Sequence, residues 1–114
     1  PIQYALTYPS HLKSSWERLD LLKCEDLTFH KPDYDRFPSL KLAYQALEKA
    51  GTASAALNLS NDYSVSKFLN DKIKFTDIYK INQSALHSHP WVKEPDLNDL
   101  TDLDTWVKNH VNSF

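Results

Sequence analysis

Leu19-Asp-Leu-Leu-Lys-Cys-Glu-Asp-Leu-Thr-Phe-His-Lys-Pro-Asp-Tyr-Asp-Arg-Phe-Pro-Ser-Leu-Lys-Leu-Ala-Tyr-Gln-Ala-Leu47 is the stretch that decides the fold. It starts with short extended candidates, crosses a polar linker and ends in a helix. Leu19–Leu22 and Leu27–Phe29 have strand spacing: Leu27 and Phe29 share one face and Thr28 lies opposite. Neither piece can bury its apolar side alone, because isolated short strands are marginal in water. They call for a sheet that this sequence does not supply. His30–Arg36, with Pro32 and alternating charges, reads as a linker. From Phe37 the period changes. Pro38 suits a first helical turn. Leu40, Ala43, Tyr44 and Leu47 recur at i, i+3, i+4, i+7, which predicts an inward helix face. Gly51 supplies a left-handed stop.

Toward the N-terminus, residues 1–8 fit two patterns. Ile2, Tyr4, Leu6 and Tyr8 alternate as in a strand, while Ile2, Ala5 and Leu6 fit one helical turn with Pro1 at its start. Eight residues leave both open. Ser10–Arg18 is polar except for Leu12 and Trp16 and reads as a surface loop. Toward the C-terminus, Thr52 is predicted to cap a helix containing Ala55, Ala56 and Leu59, which Ser60-Asn61 interrupts. Asp62, Val65, Phe68 and Leu69 then continue helically. Thr76 is predicted to cap a helix with Ile78, Ile81, Ala85 and Leu86 inward. The last helix has the cleanest stripe: Leu103, Trp106, Val107, His110, Val111 and Phe114. Thr101 or Asp102 is its predicted cap, with Asp96–Leu100 as an optional turn before it.

The fold class is therefore mainly α. A small C-terminal helical bundle, residues 37–114, follows a short extended segment, residues 1–36, torn from an α/β domain and ending in the linker. The 114 residues suffice for one domain, or one small domain plus a piece of another. The chain opens on Pro-Ile-Gln-Tyr without Met or a basic leader, so it is expected to be a piece of a longer chain without a secretory signal. A net charge of −2 argues against a nucleic-acid or polybasic membrane surface. No apolar run approaches the roughly 18 residues of a membrane span. One cysteine, Cys24, excludes an internal disulfide framework and a thiolate metal cage, and points to a reducing compartment. Arginine is scarce beside lysine, so bidentate anion clamps are few. The single glycine excludes a glycine-rich dinucleotide loop or P-loop, both of which need backbone without Cβ close to phosphate.

Several residues invite chemistry and read better as structure. His87-Ser-His89, with His110, offers imidazoles, but the spacing fits no particular metal site and no acid stands at a fixed offset. His87 and His89 read as surface loop residues and His110 as a hydrogen-bonded bundle histidine. Glu25-Asp26 and Asp33/Asp35 sit among Lys23, Lys31 and Arg36, as solvated charge does. Cys24 reads as inert packing. Ser60, Asn61 and Asp62 are good cap residues. Asn58 and Asn61 are expected to pin the helix break, so that Asn58→Ala lowers thermal stability. Tyr44, Phe68, Trp106 and Phe114 read as core. The sequons Asn58-Leu-Ser60 and Asn82-Gln-Ser84 read as chance.

Several blocks carry more than composition: Pro1-Ile-Gln-Tyr-Ala-Leu6, Tyr8-Pro9, Leu19-Asp-Leu-Leu-Lys23, Leu27-Thr-Phe29, and Pro32-Asp-Tyr-Asp-Arg-Phe-Pro-Ser-Leu-Lys-Leu-Ala-Tyr44. Ala56-Leu-Asn-Leu-Ser-Asn-Asp62 and Phe68-Leu-Asn-Asp-Lys-Ile-Lys-Phe-Thr-Asp-Ile78 follow in order. Together they resemble the C-terminal region of the 1-deoxy-D-xylulose 5-phosphate reductoisomerases. The resemblance implies an NADPH-dependent oxidoreductase that makes 2-C-methyl-D-erythritol 4-phosphate for non-mevalonate isoprenoid biosynthesis, with a divalent metal (Mg or Mn). It implies a dinucleotide domain, a catalytic α/β domain to which residues 1–36 would form an edge, and a C-terminal bundle. Partners implied are the rest of the subunit and a second subunit in a homodimer, with no nucleic acid and no membrane. The implied location is the bacterial cytoplasm, or alternatively a plastid-type organelle.

The family's catalytic, cofactor-binding and metal-binding residues precede the position of Pro1. The resemblance therefore implies that this chain binds no cofactor and that the isolated piece is inactive. Phe37, Pro38, Asn58, Asn61, Asp62 and Trp106 are the residues expected to matter structurally. The family usually has Asn-Ala-Ala-Asn-Glu where this chain has Asn58-Leu-Ser-Asn-Asp62, and often Cys where it has Ser39. The alternative is a non-catalytic helical interaction domain descended from the same enzyme.

Overall fold

The computed structural model describes residues 2–17, 19–24 and 26–114. Pro1 as a helix start, Arg18 as a loop end and Glu25 as a paired acid lie outside the described residues. The chain forms two compact units, Pro1–His30 and Lys31–Phe114. Among the described residues there are five α-helices, one 3-10 turn and no strand.

In the first unit the helical pattern wins over the strand pattern, as α1, Ile2–Thr7. Ser10 N–H closes its end on the Thr7 carbonyl at 2.8 Å, and Tyr4 stacks on His11. Leu21–Lys23 is a 3-10 turn rather than a strand. The cause is local: the Asp20 carboxylate accepts the Leu22 N–H at 3.0 Å, which bends the backbone. Leu27–Phe29 carries no ladder. No described residue of this unit is buried. Cys24 is exposed, which corrects its reading as packing.

The second unit is the bundle: α2 Ser39–Lys49, α3 Ala53–Leu69, α4 Phe75–Ser88 and α5 Leu97–Asn112. α3 lies against each of the other three, while α2 and α5 do not touch. Its core is small and aliphatic. One cluster joins Ala56, Ile81, Leu103, Val107 and Val111, and a second joins Leu42, Ala46, Ala53 and Leu86. The expected aromatic core is corrected. Tyr44 and Phe114 are exposed, Phe68 pairs edge-on with Phe75, and Trp106 only borders the first cluster. Four closely packed short helices leave room for alanine and valine at their contacts and push large rings to the rim.

Two predicted features change. The stripe Leu40, Ala43, Tyr44, Leu47 points away from the bundle, and α2 buries Leu42 and Ala46 instead. α3 runs unbroken through Ser60-Asn61. Asn58 and Asn61 therefore pin no break, and Leu59 packs within a regular helix. Cap propensity loses because the polar side chains bond sideways to α4 and leave the backbone ladder intact.

Both later helices start with a carboxylate three residues into the helix. Asp77 accepts the Lys74 N–H at 3.1 Å, so the α4 cap is Lys74, two residues before the predicted Thr76. The Lys80 ammonium, then the Lys74 N–H, hold Asp77 below the usual carboxylate range. Asp96 accepts from Asn98 and Asp99, so α5 includes the optional turn, and Thr101 and Asp102 lie inside it.

Candidate functional site

The outward face of the bundle starts where the linker enters α2. The Asp33 carboxylate accepts N–H bonds from Asp35 (3.0 Å) and Arg36 (2.9 Å), and its carbonyl accepts from Phe37 at 2.8 Å. This turn aims the chain so that the Phe37 and Pro38 carbonyls take the Leu40 and Lys41 N–H groups. Pro38, at φ −67°, is already helical. Phe37 is half exposed, with the Arg36 guanidinium 5.5 Å from its ring centre.

Beyond this entry α2 shows its second apolar arc. Leu40 is 43%, Tyr44 59% and Leu47 70% exposed. An open groove of about 500 Å³ runs beside them, lined by Ala43, Ala46, Leu47, Leu57, Asn58 and Asn61 among others. Another, of about 610 Å³, lies at the α2 entry, lined by Phe37, Pro38, Leu40, Phe75, Ile78 and Tyr79 among others.

An amide ladder closes the floor of the first groove. Buried Asn82 of α4 donates from Nδ2 to Asn61 Oδ1 at 3.0 Å and accepts from Ser60 Oγ at 3.0 Å. Ser60 Oγ also lies 3.1 Å from the Leu57 carbonyl. Of the residues singled out in sequence, Asn61 is in this ladder. Asn58 is exposed at the groove edge and Asp62 is exposed on α3. Asn82 and Ser60 are the members that pattern reading missed. An asparagine on the apolar side of α4, between Ile81 and Ala85, was the available signal.

The far end of α2 is fastened to the α4–α5 loop. Gly51, at φ +55°, is the predicted left-handed stop. A Cβ there would collide with the Val92 carbonyl. The Thr52 N–H donates to that carbonyl at 2.9 Å, and the Thr52 hydroxyl accepts from Val92 N–H at 3.0 Å. Thr52 thus caps nothing with its side chain and ties two loops together. Trp91 Nε1–H donates to the Ala50 carbonyl at 3.2 Å.

The three C-terminal histidines occupy separate settings. His87 is exposed. His89 is buried, which corrects its reading as a surface residue. Its Nδ1 lies 2.9 Å from the Leu86 carbonyl, so the ring serves as a cap on the end of α4. Burial, chiefly, and the Lys49 ammonium push its pKa down, against the pull of the Leu86 and Ala85 carbonyls. His110 stacks on Trp106 at 4.7 Å and hydrogen-bonds Ser84 Oγ at 3.0 Å, as a bundle histidine should. Among the described residues no three His, Cys, Asp or Glu side chains gather in a group able to hold a metal ion. No described helix is long and apolar enough to cross a membrane.

This face is an apolar surface edged by neutral amides. Comparison with known proteins agrees in scope. Residues 1–110 match the family model described as the DXP reductoisomerase C-terminal domain. The 1-deoxy-D-xylulose 5-phosphate reductoisomerase of Heliobacterium modesticaldum is 45% identical over 108 residues, covering 95% of this chain and 28% of that protein. Its counterpart from Gloeobacter violaceus is 40% identical over 111 residues, covering 97% and 28%. Among solved structures, the Zymomonas mobilis reductoisomerase in complex with NADPH superposes with a TM-score of 0.88 at 31% identity, covering 98% of this chain and 30% of that one. A reductoisomerase in complex with NADPH, fosmidomycin and magnesium gives a TM-score of 0.84 at 33% identity, with the same coverage. The chain spans less than a third of the length of these relatives.

Proposed function

We propose, because the chain belongs to the DXP reductoisomerase family and matches its C-terminal domain, that it is the C-terminal scaffold of such a subunit. The parent converts 1-deoxy-D-xylulose 5-phosphate to 2-C-methyl-D-erythritol 4-phosphate with NADPH and a divalent metal. It works as a homodimer in the bacterial cytoplasm, or in a plastid-type organelle if the parent is of that lineage. Residues 1–36 are the edge of the catalytic domain plus linker, and residues 37–114 are the bundle.

The observation that carries this reading is the match over residues 1–110 together with superposition of 98% of the chain on under a third of a solved subunit. Exposure of every large apolar side chain from Ile2 to Phe29 supports it as well, since such a segment is built to be covered.

The described residues of this chain offer no group fitted to the phosphates of NADPH or to a catalytic metal. The described His, Cys, Asp and Glu side chains form no ligand group. The one glycine has the space beside it filled by the 91–93 loop, leaving no approach for a phosphate. No catalytic step is assigned to this chain. Its part is to brace the catalytic domain through the Asp33–Pro38 linker, preorganisation from outside the reacting groups. Phe37 and Pro38 set the entry angle, and the Ser60–Asn82–Asn61 ladder fixes α3 against α4.

The experiment is a paired assay with substrate, NADPH and magnesium. The full-length subunit turns over and chain 1–114 does not. Turnover by chain 1–114, or none by the full-length subunit, overturns the reading. An unrelated domain upstream of Pro1 in the gene would favour the non-catalytic interaction domain.

A further inference from the structure

We infer that the outward face of α2 is the surface on which the part of the subunit preceding this chain docks. The inference rests on the reading above and adds to it which of the bundle's faces is used.

Leu40, Ala43, Tyr44 and Leu47 form a helical stripe as regular as that of any core helix, yet all four are exposed. The α2 core is already complete in Leu42 and Ala46. A second apolar arc on a short helix lowers solubility and adds nothing to the bundle's own core, so it wants another partner. The two grooves beside it extend the same surface. Phe37, Leu40 and Phe75 line one; Ala43, Leu47 and Leu57 line the other. Asn58 and Asn61, at the edge, are neutral groups suited to the backbone or uncharged side chains of an occupant.

The occupant follows from covalent linkage. The relatives are more than three times as long as the matched segment, which covers 28% of them. α2 is the first helix after the linker, so the rest of the subunit is tethered nearest to this helix. Tethering through a short linker raises effective concentration to the millimolar range, far above that of a second copy in solution. α5, which does not touch α2, exposes Leu97 and Leu100 at its start, but Thr101, Thr105, Lys108 and Asn109 keep the rest of its outer side polar.

The test is thiol labelling read peptide by peptide. Tyr44→Cys and, as the control on α5, Asn109→Cys are each placed in a Cys24→Ser background, in chain 1–114 and in the full-length subunit. Both positions label fast in chain 1–114. In the full-length subunit labelling at position 44 slows about 100-fold, while position 109 changes less than about threefold. Equal rates at position 44 in the two proteins overturn the inference. So does equal slowing at 44 and 109. Protection that depends on protein concentration, in either protein, gives the face to a second copy and overturns it too. Turnover by the unmodified full-length subunit is measured alongside. Its absence defeats the family activity, whereas turnover with an unprotected position 44 defeats only the docking face.

Discussion

Replacing Asn82 with alanine tests where the bundle is pinned. The buried amide makes one bond to Asn61 and one to Ser60, both at 3.0 Å. Each such bond contributes about 1 kcal/mol net. The lost packing of a buried amide adds about 1 kcal/mol. Alanine's better helix propensity returns about 0.6 kcal/mol. The sum is a loss of about 2 kcal/mol, or roughly 8–16 °C in melting temperature for a domain this small. Asn58→Ala serves as the counterpart. Asn58 is exposed at the groove edge of an unbroken helix, so its replacement gains only propensity and leaves the melting temperature within about 3 °C or slightly higher. Ser60→Ala falls between, at about 1 kcal/mol. Far-UV circular dichroism melts of chain 1–114 and its variants give the answer. An Asn82→Ala melt that matches the parent, or an Asn58→Ala loss as large as that of Asn82→Ala, refutes this placement of the pin.

Ala50 sits at φ 53° and ψ −156°, a region that suits glycine. Its strain of about 1–3 kcal/mol exceeds the unfolded-state entropy cost of glycine, so Ala50→Gly should stabilise by about 1 kcal/mol in urea titration. Lowering pH should weaken the bundle through His89. Its native pKa is depressed from 6.5, so the unfolded chain takes up the proton first. Stability is full above 6.5 and is lost as pH falls below it toward the native value. Melts across pH should show this loss, and His89→Gln should flatten that part of the profile. In chain 1–114 alone, the amides of Leu19–Phe29 should exchange close to the unprotected rate, because no described residue there is buried. Strong protection in a monomer would contradict that.

The parts of the fold legible in sequence are those where one apolar period meets one core. α5 and α4 are such cases, and Gly51 is where a left-handed residue was needed. α2 is the instructive failure. It carries two apolar arcs, and periodicity finds the longer one without saying whether it faces its own bundle or a neighbour. Ala46 and Ala53 keep the α2–α3 contact close and Leu42 packs with Leu86 of α4, while Leu40, Ala43, Tyr44 and Leu47 stay outside. α3 hid its continuity for a different reason. Ser60 and Asn61 have the chemistry of caps, and only the presence of Asn82 across the interface diverts them from that use. α1 shows the limit of short windows, since eight residues satisfied two periods. The family was legible because ordered blocks of identical residues do not depend on knowing which face is in. The expectation that no catalytic group lies here rested on residue types, one glycine and one cysteine. The roles of Asn82, Ser60 and Thr52 needed three-dimensional neighbours.

Calorimetric titration of chain 1–114 and of the full-length subunit, each with NADPH and with magnesium plus 1-deoxy-D-xylulose 5-phosphate, decides whether this segment is structural support alone. Saturable heats from the full-length subunit and none from chain 1–114 are expected. Saturable binding of either ligand by chain 1–114, removed by substituting one of its own residues, would contradict it.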